Sequence, residues 1–129
     1  MEKQAIQDAV DMAGRAGYAL LATADRLGLP HIACAGNLEM AGEDAVAITE
    51  WFCPGTASNL QENPQVSILV WDRKADTGFQ LLGEVRQVES AAMMDGYDPK
   101  QEAAPLPQEE RRIVAGVRQV LAFSHAPHS

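Results

Sequence analysis

The run Thr49-Glu50-Trp51-Phe52-Cys53-Pro54-Gly55-Thr56-Ala57-Ser58-Asn59 holds the residue types best suited to chemistry. Pro54 fits the first turn of a helix, and a helix N-terminus leaves N–H groups free and carries partial positive charge. Thr56 and Ser58 add hydroxyl donors, and Gly55 lets an oxygen-rich group approach the backbone. That combination suits a phosphate. Trp51 or Phe52 beside it is placed to cover a planar ring. The same residues also read as a plain helix cap with Trp51 in the core. Residue types alone favour this simpler reading, because such caps open most helices.

Other constellations are weaker. Cys53 precedes the expected helix, where a thiolate is favoured, although a free cysteine is more often a small hydrophobe. His31-x-x-Cys34 has the residue types for half of a metal site, with His125 and His128 as remote partners. Positions three apart on a strand face opposite sides, so no metal is expected. The sequence has no Ser/His/Asp set with recognisable spacing and no glycine-rich nucleotide loop. Glu109-Glu110 followed by Arg111-Arg112 reads as a solvated helix face with local ion pairs.

The elements that must position these residues follow from periodicity. Ile6, Ala9, Val10 and Ala13 form one stripe of an amphipathic helix over 4–16, which Gly17 ends. Tyr18–Ala24 reads as a buried strand, and residues 25–28 as a turn with Gly28 supplying positive φ. His31–Met40 completes a hairpin, and Ala45–Phe52 is a third strand. Pro54–Glu62 is a short helix stopped by Asn63-Pro64. Val66–Trp71 and Phe79–Val88 are further strands, with Gly83 a bulge or a close approach. Ser90–Met94 begins a helical turn, 96–107 is a proline-bearing loop, and Gln108 onward is helical. There the pattern is ambiguous: Ile113, Val114, Val117, Val120 and Leu121 fit a helix face, while 119–124 fits a strand equally well. Strands joined by tight turns, without βαβ alternation, indicate a small barrel with appended helices.

Composition bounds the partners. The 129 residues fit one domain, and 47% hydrophobic with 22% charged residues is an ordinary globular balance. Eighteen acidic against ten basic residues give a net charge of −8, which repels nucleic acid and anionic membranes. Aromatics at 5% exclude a base-stacking platform. The apolar stretch Ala16–Ala24 is too short to span a bilayer, and the N-terminus lacks a signal-peptide core. Cys34 and Cys53 therefore read as free thiols in a reducing cytoplasm.

Several pieces together carry a resemblance. They are YALLATAD over Tyr18–Asp25, GLPHIA over Gly28–Ala33, AIT over Ala47–Thr49, NLQENPQVSI over Asn59–Ile68 and LGEV over Leu82–Val85. Their order and spacing resemble the pyridoxamine 5′-phosphate oxidase-like split barrels, and among them the small bacterial FMN-binding proteins. The match spans about residues 17 to 90, and the C-terminal third matches poorly. The resemblance implies a mainly β fold, a six-stranded antiparallel split barrel with flanking helices, as one FMN-binding domain over 1–129. It implies a homodimer with FMN in two grooves at the subunit interface, working as an oxidoreductase or electron-transfer flavoprotein. Carried over by position, it points to Cys34 on the second strand, to Thr49, Glu50 and Trp51 at the end of the third, and to Thr56, Ser58 and Asn59 at the helix. It also favours a last strand over about 118–124.

One position departs from the pattern. Relatives usually carry Lys or Arg at or just before the place of Thr56, where this chain reads Cys53-Pro54-Gly55-Thr56. A basic side chain would then come from Arg73, Lys74, Arg86 or Arg118 of either subunit. Two alternatives stay open on this ground. One is a ligand-binding or sensing module without FMN; the other is a structural domain whose dimer surface is the function.

Overall fold

The computed structural model describes residues 2–51, 53–90 and 111–126. The apolar stripe of the N-terminal segment forms helix α1 (Glu2–Ala16), which buries Ile6, Ala9 and Ala13, and Met12 beside them. Gly17 ends it at φ 87°, its N–H bonded to the Ala13 carbonyl at 2.8 Å. The hairpin follows as β1 (Ala19–Ala24) and β2 (Pro30–Ala35). In its turn, Asp25 Oδ1 accepts from the Leu27 and Leu29 N–H groups at 2.8 and 2.9 Å, and Gly28 stands at φ 91°.

The expected second strand is in fact two. β2 stops at Ala35 and β3 (Asn37–Met40) begins after Gly36, whose N–H bonds to the Glu50 carbonyl at 2.8 Å. β4 (Ala45–Thr49), helix α2 (Pro54–Glu62), β5 (Gln65–Asp72) and β6 (Thr77–Ser90) come next. The sheet therefore has seven strands, all neighbours antiparallel, in the order β2-β1-β5-β6-β7-β4-β3.

Residues 111–123 form β7 (Arg111–Phe123), which corrects the helix read from Gln108 onward and lengthens the strand expected from about 118. Ile113, Val114, Val117 and Val120 are β-branched and suit a pleated surface. The deciding interaction is not local: β7 pairs with β6 on one side and with β4 on the other. Ser90 is the last residue of β6. The rest of the expected helical turn, the 96–107 loop, Gln108 and the Glu109-Glu110 pair lie outside the described residues.

Chain geometry requires the sheet to curl. Laid flat, seven strands at about 4.8 Å spacing separate the two edges by roughly 29 Å. Yet the edges β2 and β3 are joined across Gly36 alone, a reach of about 7 Å. The result is a split barrel. Leu21, Ile48, Ile68, Val70, Leu81 and Ile113 fill its inside, and α1 lies against β3 and β5.

Two bulges shape β6 and β7. The register runs Leu82↔Gln119 and then Gly83↔Val117, so Arg118 has no partner. It runs Val85↔Ala115 and then Gln87↔Val114, so Arg86 has none. Bulges re-aim side chains, and here each one turns out an arginine. The bulge expected at Gly83 is present: a Cβ there would meet the Gly116 carbonyl oxygen at 2.0 Å. Among the described residues no helix is long and apolar enough to cross a membrane.

Candidate functional site

The turn from β4 into α2 is anchored inward. Thr49 Oγ1 accepts from Asn37 Nδ2 at 3.0 Å, tying the ends of β3 and β4 together. Glu50 is exposed, adopts φ 59°, and sets its carboxylate over Gly36. Trp51 is 2% exposed and belongs to the core. Thr56 is fully buried, whereas Ser58 faces solvent. Asn59 Nδ2 donates to Oγ1 of the buried Thr23 at 3.0 Å, pinning α2 to β1. Phe52 lies outside the described residues.

Cys53 is the N-cap of α2, with no side-chain cap bond. Its Sγ lies 3.7 Å from His31 Nε2. Partial burial pushes the Cys53 thiol up, but the Thr56 hydroxyl and the Thr56 and Gly55 N–H groups outweigh it. The thiol therefore titrates below its ordinary value. Thr56 Oγ1 is buried and makes no hydrogen bond among the described residues. The first turn of α2 thus favours the thiolate of Cys53. Of the two hydroxyls read as phosphate donors, Ser58 alone is open to solvent.

The opposite, outer face of β1, β5, β6 and β7 carries a groove of about 840 Å³. Small-molecule sites commonly occupy about 300–1,000 Å³. Ala22, Ala24, Ser67 and Leu82 line its floor, with Gln65, Gln119 and Arg118 at one side. Arg118 donates to Gln65 Oε1, and Gln65 Nε2 donates to Glu84 Oε2 at 3.1 Å. Of the four basic candidates, Arg118 is the one that lines this groove. Arg86 is committed to Asp44, at 3.1 and 3.3 Å. Its guanidinium holds the Asp44 carboxyl below the ordinary carboxylate range. Arg73 and Lys74 sit beyond β5, beside Arg15 at the end of α1. A smaller apolar hollow adjoins the groove, formed by Leu20, Ile32, Leu69 and Phe123 with Gln80.

The site residues read from sequence therefore divide. Thr49, Trp51, Thr56 and Asn59 turn toward the interior, Glu50 and Ser58 face solvent, and Cys34 is exposed on β2. His31 is half-buried and Cys34 exposed, as opposite faces of a strand require. Among the described residues no three metal-ligating side chains cluster. Two features escaped the sequence reading. One is the His31–Cys53 contact, between residues that are remote in sequence. The other is the bulge that aims Arg118, whose nearest sequence signals are Gly83 and Gly116.

The family model for pyridoxamine 5′-phosphate oxidase matches residues 3–123. The chain belongs to that family. Its fold recurs in solved members and neighbours. HupZ of Group A Streptococcus superposes with TM-score 0.68 at 16% identity, over 95% of this chain and 97% of that one. An FMN-binding protein from Syntrophomonas wolfei gives TM-score 0.68 at 19% identity, over 98% and 91%. The heme storage protein HutZ from Vibrio cholerae gives 0.59 at 15%, over 88% and 90%. No curated protein matches the chain. Identities this low establish a shared fold, so the chemistry of this family member rests on its own residues.

Proposed function

We propose that the chain is an FMN-binding homodimer that holds its flavin in the outer-face groove and acts as an oxidoreductase or electron carrier. The observation that supports this most is Arg118, turned by a bulge into a groove of ligand size on a chain of net charge −8. Membership of the family and the likeness to an FMN-binding protein support it further. Bound FMN would supply the redox chemistry, and the protein position and electrostatics. Arg118 offers a charge-assisted donor to the phosphate, steadied by Gln65 and, behind it, Glu84. Ala22, Ala24 and Leu82 present a low apolar floor to a planar ring. Gln80 Nε2 donates to Ser67 Oγ at 2.8 Å, which leaves the Ser67 hydroxyl proton free to donate to a ring heteroatom. The role of the second copy is to cover the apolar outer face, where Ile32 is 67% exposed. Two free cysteines fit a reducing, cytoplasmic setting.

The test is colour. Purified protein should carry an oxidised-flavin absorbance band, release FMN by mass on denaturation, and gain thermal stability when FMN is added. Protein that is colourless and whose melt FMN does not move would refute the reading. A second reading would then stand, a ligand-binding module without flavin. It is supported by the absence of a basic residue from 53–56 and by the engagement of the α2 donors with Cys53.

A further inference from the structure

We infer that Cys53 and His31 form a nucleophilic thiolate–imidazole pair, a site at which hydroperoxides oxidise the protein. Four features converge on the sulfur. His31 Nε2 lies 3.7 Å away, on a different element. Cys53 is the N-cap of the nine-residue helix α2, whose first-turn Gly55 and Thr56 N–H groups favour the thiolate. Thr56 Oγ1 is fully buried without a hydrogen-bond partner among the described residues, and its hydroxyl favours the thiolate. Cys53 itself is only half-buried, so a small oxidant can reach it. The first three stabilise negative charge on sulfur, the form that reacts, and the fourth gives the oxidant access. The groove proposed for flavin is on the other face of the sheet, so the inference does not rest on that reading.

The reaction balances within the pair and its oxidant. The thiol proton passes to His31 Nε2. The sulfur attacks the terminal oxygen of the hydroperoxide, an S–O bond forms and the O–O bond breaks. Sulfur loses two electrons and becomes a sulfenic acid. The peroxide is reduced to the alcohol, or to water, whose departing oxygen takes the proton from His31. Cys34 is the other cysteine of the chain and faces outward from β2, whereas His31 turns in. A sulfenic acid at Cys53 therefore has no resolving thiol beside it and should persist long enough to be trapped.

Cys34, exposed and with the Ala35 carbonyl at 4.0 Å, is an internal comparison. The experiment alkylates intact protein with iodoacetamide across pH and maps both sites by mass, each normalised to its own plateau so that access cancels. The Cys53 profile should rise at lower pH than that of Cys34. His31→Gln and Thr56→Val should each shift it toward the Cys34 profile. After hydrogen peroxide and dimedone, the adduct should sit on Cys53 by about threefold or more over Cys34. A Cys53 profile at or above that of Cys34, failure of Cys53 to alkylate at any pH, or an adduct mainly on Cys34 would each overturn the inference. The comparison within the wild-type chain decides the matter even if a variant fails to fold.

Discussion

Replacing Arg118 by Gln removes the charge that the groove offers to a phosphate and keeps a polar side chain of similar reach. Arg118 is exposed and bonded to the Gln65 amide, so the substitution should leave the fold intact. Hydrogen bonds to charged groups contribute about 1.5–3 kcal/mol each. Losing one corresponds to roughly 10- to 150-fold weaker FMN binding. Fluorescence quenching on titration with FMN measures this directly, and riboflavin, which lacks the phosphate, serves as the control. Riboflavin affinity should be nearly the same in both proteins, because the floor of Ala22, Ala24 and Leu82 is untouched. The FMN advantage over riboflavin should also shrink with salt in the wild type, since an exposed pair is screened over about 8 Å at physiological ionic strength. Ser58→Ala and Thr56→Val should leave FMN affinity unchanged. Equal FMN affinity in wild type and Arg118→Gln, or an equal loss for riboflavin, would refute the placement of the phosphate. A loss in Ser58→Ala instead would move it to the start of α2.

Four further outcomes are expected. Ile32→Glu places a charge on the apolar outer face and should yield a monomer by sedimentation, with FMN binding weakened if the second copy covers the groove. Gly83→Ala drives a Cβ into the Gly116 carbonyl and should cost about 1–3 kcal/mol, lowering the thermal midpoint by several degrees. Gly14→Ala, in α1 with nothing within 4 Å of the new carbon, should instead raise it slightly. Asp76 accepts from the His125 N–H at 2.5 Å, the Ala126 N–H at 3.0 Å and Trp71 Nε1 at 3.1 Å. These donors, the His125 N–H foremost, hold its carboxyl below the ordinary range. Its contribution is therefore complete above the unfolded carboxylate value and is lost as pH falls below about 4. Asp76→Asn should be less stable at neutral pH and show a flatter acid limb in chemical denaturation.

Much of the fold was legible because local signals agreed with the final pairing. The stripe of α1, the Asp25–Gly28 turn, Pro54 opening α2 and Asn63-Pro64 closing it are all short-range. β7 was not legible by periodicity, since Ile113, Val114, Val117 and Val120 satisfy a helix as well as a strand. Only the vacant edges of β6 and β4 decide between them. The break at Gly36 was hidden for a similar reason: His31–Met40 alternates well enough to pass for one strand. Among site residues, the turn at 49–59 was found as a location. The direction of each side chain was not, because whether Thr56 points in and Ser58 out depends on which face of α2 meets the barrel. The contact of His31 with Cys53 joins β2 to α2 and leaves no trace in either segment alone.

The central position of β7 bears on how this protein is made. It is the last strand of this sheet to be synthesised, yet it lies between β6 and β4 and joins the two parts of the sheet. Until it is synthesised, the β2-β1-β5-β6 ribbon and the β3-β4 hairpin each expose an unpaired edge, the feature that recruits foreign strands. At about 5–20 residues per second, the nascent chain spends several seconds in that condition after β4 is complete. Closure then depends on pairings distant in sequence, such as Val46 with Ala115, which form slowly. Truncation within β7 should therefore not trim the barrel but leave the β6 and β4 edges open, and chaperone demand during expression should rise sharply at that point in the chain.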